Sequence, residues 1–517
     1  MSGHASDAPS QGSAAGGLSA ADGEGKGGSR DDVPPVVGPT FALLPAWLAM
    51  AFLLAAPVPA LVDLLDGASL ALLTMLAATP IWYEAARARL SPFDPVASTA
   101  ITVILACAGF LIFWSLISVF GAASPLRASR YIATLIAAFS IYFLVRSTIT
   151  QSRLSLYVDL LAAGLALSSV VSLLAFEIDG LREMIFRGTD RASGFFKNPN
   201  QFGMAISTTV PAVAALLLAE HRRRWFRATC LVLMLLGLVA SGSKTNLLLS
   251  WATILATLWG FAWISHSGAR RFVMAALFTF ASLAFAGLGI LALSVINPRA
   301  LTILLSFFTG DGEVDSLMTR SFLWTYSIDQ FIADPILGQG AGQRIDIFYR
   351  AEDVSHSHNV FLDYMRSLGA PGLFGVALMI GTVVVACLLS IERALRQAAG
   401  PPAARLLCVG LALSCLSYAA ANMSSDSFGP STSPFFWVFA YLTFASRSLL
   451  GPLPVVLIPR RPKAKRRAVW PPFPAIKSQE AIDAELEQVE ESWRIDYVLV
   501  LVLILVAFFT ASVLLSF

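Results

Sequence analysis

Apolar stretches of about 17 to 25 residues recur along nearly the whole of this chain, and each is as long as a helix must be to cross the hydrocarbon core of a bilayer. No other feature limits the fold so strongly. Inside lipid a backbone has no water to bond to, and helices satisfy their N–H and C=O groups within a single segment. With 56% apolar and 13% charged residues and a mean hydropathy of +0.71, an ordinary water-soluble domain is excluded. The composition predicts an all-α, polytopic integral membrane protein.

Hydropathy places spans at roughly 41–65, 68–83, 97–120, 130–146, 155–176, 201–219, 226–242 and 245–265. Further spans follow at roughly 271–296, 359–390, 402–421, 433–449 and 496–517, about 12–13 in all, the tenth broken between Gly369 and Gly372. Placing the N-terminus inside makes the basic connections cytoplasmic: His221 to Arg227, His266 to Arg271 and Pro459 to Arg467. That is the sense the positive-inside rule requires, and the short connection carrying Arg127 and Arg130 is its exception.

Residues 1–39 are rich in Gly, Ser, Ala and Asp and lack an apolar run, so they read as a disordered cytoplasmic tail ahead of a membrane domain at 40–450. Residues 451–495 form a cytoplasmic linker, first basic and then acidic, whose basic part is expected to meet anionic membrane lipids. Residues 496–517 are expected to add a C-terminal transmembrane helix. The five cysteines, Cys107, Cys230, Cys387, Cys408 and Cys415, all fall within spans and lack paired spacing, so neither a disulfide framework nor a zinc site is indicated. The net charge of +3 follows the positive-inside bias and gives no support to nucleic-acid binding.

On this topology two long connections, about 177–201 and 297–358, face outside. The first contains RASGFFKNPNQFG, in which Arg191 precedes a turn at Asn198, Pro199 and Asn200. The second contains RSFLWTYSIDQFIADPILGQGAG. Here Asp315 or Ser316 is expected to cap a helix that stops before Asp334 and Pro335, with Gly338, Gly340 and Gly342 preventing further regular structure. Arg320, Trp324, Ser327 and Phe331 share one face of that helix by its 3.6-residue period, a face expected to cover the protein's outer mouth or lie on the membrane.

The second connection ends in SHSHNVFLDYMRSLGAPG, which places His356 and His358, two of only five histidines, at the mouth of a span. Imidazole exchanges a proton near neutral pH, which makes this the expected place for chemistry. Side chains two apart on a helix diverge and no further Cys or His completes a ligand set, so no metal is expected.

Together these segments resemble the O-antigen ligase and O-antigen polymerase superfamily of bacterial envelope glycosyltransferases. The resemblance rests on RASGFFKNPNQFG, on the Trp324 helix with its glycine-rich exit, and on His358 and Asn359 followed after nine residues by Gly-x-x-Gly. The family resemblance implies a GT-C-like polytopic fold and transfer of a glycan from undecaprenyl pyrophosphate to an acceptor hydroxyl, such as one on the lipid A core. Transfer would occur at the periplasmic face of the inner membrane, by inversion and without cofactor or metal. His358 would be the general base, with Arg191 and Arg320 stabilising the pyrophosphate leaving group. Lys244, Asn359, Asn200, Trp324 and His356 would contact substrate. Lys244 stands where many relatives resemble Ser-Arg; it keeps a cation but lacks the guanidinium fork, and a lysine at a span end is also placed to snorkel toward headgroups. A polymerase that extends one lipid-linked repeat with another would use the same chemistry. A polytopic transporter is the reading from a different class, and the broken tenth span is what suggests it.

Overall fold

The computed structural model describes residues 95–148, 154–186, 191–296 apart from 197, 313–343, 345, 347–349, 352–354, 356–396, 400–423 and 433–450. The tail at 1–39, the predicted spans near 41–65, 68–83 and 496–517, and the linker at 451–495 lie outside the described residues.

Twelve helices are described: α1 (Pro95–Ser118), α2 (Pro125–Thr148), α3 (Leu154–Leu174), α4 (Asp179–Phe186), α5 (Pro199–Ala219), α6 (Arg224–Ser241), α7 (Lys244–Ser265), α8 (Ala269–Ile296), α9 (Glu313–Ala333), α10 (Val360–Arg396), α11 (Pro402–Ala421) and α12 (Ser433–Ser448). Among the described residues α1, α3, α5, α6, α7, α10 and α11 are long and apolar enough to cross a membrane. The helices α2, α8 and α12 fall where spans were predicted. The chain is an all-α polytopic membrane protein.

Two helices form the centre. Every residue of α5 from Gln201 to Leu216 is buried, as in a helix surrounded by others on all sides. It packs most extensively on α11, and α3, α6 and α7 close around it. Lipid tails are as apolar as leucine, so helix association in a membrane rests on close packing of small residues. A side-chain carbon at Gly410 of α11 would overlap Ala215 and lie 2.8 Å from the Pro211 carbonyl oxygen of α5. Pro211 itself lacks the N–H that would bond to the Ser207 carbonyl one turn earlier. That carbonyl instead accepts from Ser417 Oγ of α11 at 3.0 Å, so the defect in one helix is repaired by its neighbour. On the far side of α11, α10 packs against α1 and α12 against α2.

The long connection after α8 holds more than helix. A two-stranded antiparallel hairpin pairs β1 (Ile347–Tyr349) with β2 (Glu352–Val354), with Ile347 opposite Val354. No regular structure was expected after Gly342, because three-residue strands are too short to leave a period-two pattern. The cap expected at Asp315 or Ser316 is also corrected: the helical run already includes Glu313, so both lie in its first turn. The stop before Asp334 is observed.

At the end of the bundle where α3 and α6 begin, charge is locked inside. Arg227, 1% exposed, donates through Nε to Asp159 Oδ1 at 2.7 Å, and through Nη2 to Asp159 Oδ2 at 3.1 Å and Glu220 Oε2 at 2.9 Å. Its Nη1 meets the Leu216 carbonyl at 3.1 Å, so one guanidinium ties α3, the end of α5 and α6 together. Removing Arg227 leaves the buried Asp159 with only the half-exposed Arg223, at 3.2 Å, as counter-charge. Arg227→Met should therefore lower stability by about 3–5 kcal/mol, measured by thermal unfolding in detergent, and adding Asp159→Leu should recover part of the loss.

Candidate functional site

The site is built where α10 breaks. Gly369 has φ 68° and ψ −162°, so the helix ladder cannot run through it. The Ala370 N–H, which would bond to the Arg366 carbonyl, donates instead to the Pro335 carbonyl at 2.8 Å, and the Arg366 carbonyl accepts from the Gln339 N–H at 2.9 Å. One helical bond has been exchanged for two bonds to the segment after α9. The Leu368 carbonyl is taken by Trp114 Nε1 of α1 at 2.9 Å. A Cβ at Gly369 would overlap the Ile336 carbonyl, and this left-handed backbone already favours glycine. The glycines at 338, 340 and 342 permit close approach to Arg366, Ala122 and Tyr131 respectively. Gln343 completes the seam by exchanging hydrogen bonds with the Ser124 backbone, while its carbonyl accepts from Arg366 Nη2 at 2.6 Å.

Nine residues before the break, α10 starts under a cap. Asn359 Oδ1 accepts from the Phe361 and Leu362 N–H groups at 3.0 and 3.3 Å, and Nδ2 donates to the Met423 carbonyl at 3.3 Å. His358, just outside the helix, is held at φ 56°, where side-chain-bearing residues are uncommon. Its ring meets that of His356 edge to face, centroids 4.4 Å apart. Between them Ser357 is fully buried and bonded to Asp363.

The segment before α5 supplies a cation. Asn198 caps α5 by accepting from the Asn200 N–H at 2.7 Å, with Pro199 in the first helical position, the turn the sequence predicted. Arg191 then donates through Nη2 to Asn200 Oδ1 at 2.7 Å and through Nε to the Ser241 carbonyl at 2.8 Å. Asn246 of α7, 2% exposed, holds the Asn200 carbonyl at 3.2 Å and Ser243 Oγ at 2.8 Å and accepts from Ser207 Oγ at 3.1 Å. Lys244 begins α7 three residues beyond Ser241 and is half-buried.

The helix α9 joins the two halves. Trp324 Nε1 donates to the Ser357 carbonyl at 3.0 Å, and one turn earlier on the same helix Arg320 is close enough to act electrostatically on Arg191. Burial first, and then the Arg320 guanidinium, push Arg191 below its ordinary pKa. Ser327 is fully buried and α9 packs on α10, so the face shared by Arg320, Trp324 and Ser327 turns toward the protein. Trp324 is itself 38% exposed, and Phe322, Ile328 and Ile332 of the same helix are exposed as well.

The eight residues singled out in the sequence thus fall on two loops, on the first turns of the helices α5 and α7, and on α9. Sequence reasoning missed Ser357, Asp363 and Asn246, which touch those residues directly. The Asn359 cap pattern was the one available sign that α10 starts after the histidines. Among the described residues no group of three or more His, Cys, Asp and Glu is gathered as a metal would need.

The O-antigen ligase family model (Wzy_C) matches residues 229–377. Over that stretch the chain is similar to the O-antigen ligase family. The matched stretch runs from α6 through α9 to the first part of α10 beyond the break, and so contains Lys244, Arg320, Trp324, His356, His358 and Asn359. The match supports chemistry of the O-antigen ligase or polymerase type. No curated protein matches the chain.

Because the break joins the loop to the bundle, Gly369→Ala should be costly. The backbone conformation alone accounts for about 1–3 kcal/mol, to which overlap with Ile336 adds. Gly381→Ala, in the same helix with open space around it, should change the thermal unfolding midpoint little, and the difference between the two variants measures the seam.

Proposed function

We propose that this protein transfers a glycan from undecaprenyl pyrophosphate to an acceptor hydroxyl, such as one on the lipid A core, at the periplasmic face of the bacterial inner membrane. The reading is carried by two guanidinium groups, Arg191 and Arg320, near enough for one to act electrostatically on the other, and by a loop that presents two imidazoles and is bonded to the Arg320 helix. Like charges held together and partly desolvated are costly alone and favourable with an anion between them; pyrophosphate is such an anion.

In the proposed reaction the acceptor hydroxyl approaches the anomeric carbon opposite the pyrophosphate, and His358 takes its proton. The new oxygen–carbon bond forms as the bond to pyrophosphate breaks, and the electron pair leaves with undecaprenyl pyrophosphate, inverting the anomeric centre. Arg191 and Arg320 stabilise the charge that grows on the leaving group, and their fixed positions avoid reorganisation at that moment. Lys244 adds a third cation. Asn200 acts through Arg191, which it orients, and Asn359 through the cap that starts α10. His356 and Trp324 border the acceptor side, where Trp324 would help to exclude water that wastes the donor. No metal is invoked.

The test supplies purified protein with an undecaprenyl-pyrophosphate glycan and either lipid A core or a second lipid-linked repeat as acceptor. Wild type should glycosylate the core, unaffected by chelator. His358→Ala should lower kcat by roughly 10²- to 10⁴-fold, and Arg191→Ala or Arg320→Ala by about 10²- to 10³-fold. Full turnover by His358→Ala would remove the base assignment. Extension of the lipid-linked repeat in place of core transfer would make the protein a polymerase.

A further inference from the structure

His358 holds a backbone conformation that costs energy for any residue with a side chain; among the described residues only Arg223 shares that property without being glycine. Such an outlier persists only where its surroundings fix it. Here the fixing can be traced on both sides. Asn359, after it, has its amide bonded to three backbone groups. Ser357, before it, has all its polar groups engaged: the N–H and Oγ both donate to Asp363 Oδ1, at 2.9 and 2.8 Å, Oγ also lies 3.1 Å from the Asn359 carbonyl, and the Ser357 carbonyl accepts from Trp324 Nε1.

We propose that Asp363, acting through Ser357, is the positioning residue that holds His358 for glycan transfer. Asp363 is 7% exposed and sits on the first turns of α10. The start of that helix is already capped by Asn359, so the bonds from Asp363 to Ser357 are not needed to begin it. What they fix is the turn that carries the two imidazoles, one on each side of Ser357, into contact. A carboxylate accepting two hydrogen bonds at one oxygen holds its partner with more geometric force than a neutral acceptor. Trp324 closes the third side and links this clamp to the helix that carries Arg320. The inference rests on the reading of His358 as the base.

The experiment uses full-length protein in detergent with ring-¹³C-labelled histidine, whose five resonances are assigned by single His→Gln substitutions. Kinetics with undecaprenyl-pyrophosphate glycan and lipid A core are measured alongside. Asp363→Ala should shift and broaden the His356 and His358 resonances and lower kcat roughly 10- to 100-fold, with KM for the donor within about twofold, as expected when only the transition state loses an interaction. Asp363→Asn, whose amide oxygen still accepts from Ser357 though more weakly than a carboxylate, should restore most of both readouts. Trp324→Phe, which keeps the ring and loses the donor, should move the same two resonances, and it serves as the test if Asp363→Ala does not fold. Unmoved resonances in Asp363→Ala and Trp324→Phe would overturn the proposal, as would an Asp363→Asn variant as impaired as Asp363→Ala. Moved resonances in a protein whose His358→Ala variant retains full turnover would sustain the clamp and remove the base assignment.

Discussion

The exchange of hydrogen bonds at Gly369 is the interaction on which the site depends. A helix that ran unbroken from Val360 to Arg396 would offer nothing to which the long connection could attach, since its backbone groups would all be satisfied internally. Breaking the ladder at one glycine frees the Ala370 N–H and the Arg366 carbonyl, and both are returned to the backbone on either side of Ile336. Buried backbone groups are too costly to leave unpaired. The connection is thereby held to the bundle by the same need that normally keeps a membrane helix straight. From that seam α9 is fixed over α10, and only then do Arg320 and Trp324 reach the loops carrying Arg191 and His358.

Electrostatics at the site work against the free protein. Burial and the neighbouring Arg320 both act on Arg191 in the sense that disfavours its charge, so the apposition is held by other contacts. Asn200 Oδ1 and the Ser241 carbonyl supply two of them, directed along the guanidinium plane, and Asn246 fixes Asn200 in turn. An anionic ligand would reverse the sign of the apposition, which is the arrangement expected of a site preorganised for charge that develops during reaction.

The bundle was legible in the sequence because spans are long: an apolar run that must cover a bilayer survives any single exception. Among the described residues the span boundaries came within about six residues, and the break at Gly369 was visible because glycine and proline stand together in an apolar run. His358 stood out as a rare polar group at a span end, and Arg191 as a cation in the connection before the sixth predicted span. What stayed hidden was the set of contacts between distant segments. Asp363 reads as an ordinary acidic residue in the first turns of a helix, where a negative charge is favourable anyway, and its bond to Ser357 leaves no mark on periodicity. Asn246 lies two residues past Lys244 and looks like part of the same polar cap. The hairpin at 347–354 was too short to register.

The family match begins at residue 229, after Arg191 and Asn200, yet these two residues meet Ser241 and Asn246, which lie within it, and Arg320, also within it, acts electrostatically on Arg191. The candidate site is therefore composite. Its imidazoles and one guanidinium come from the matched stretch; the other guanidinium is carried in by the loop before α5. That loop can be placed accurately because α5 is buried on every side and its first turn is capped by Asn198, so the position of Asn200 is set by the centre of the bundle and not by the loop's own preferences. A rigid central helix thus ends in the residue that aims Arg191, while a broken peripheral helix begins beside His358. The proposed reaction needs both, since a base without an anion site leaves the pyrophosphate leaving group unstabilised, and paired guanidiniums without a base leave the acceptor hydroxyl a weak nucleophile.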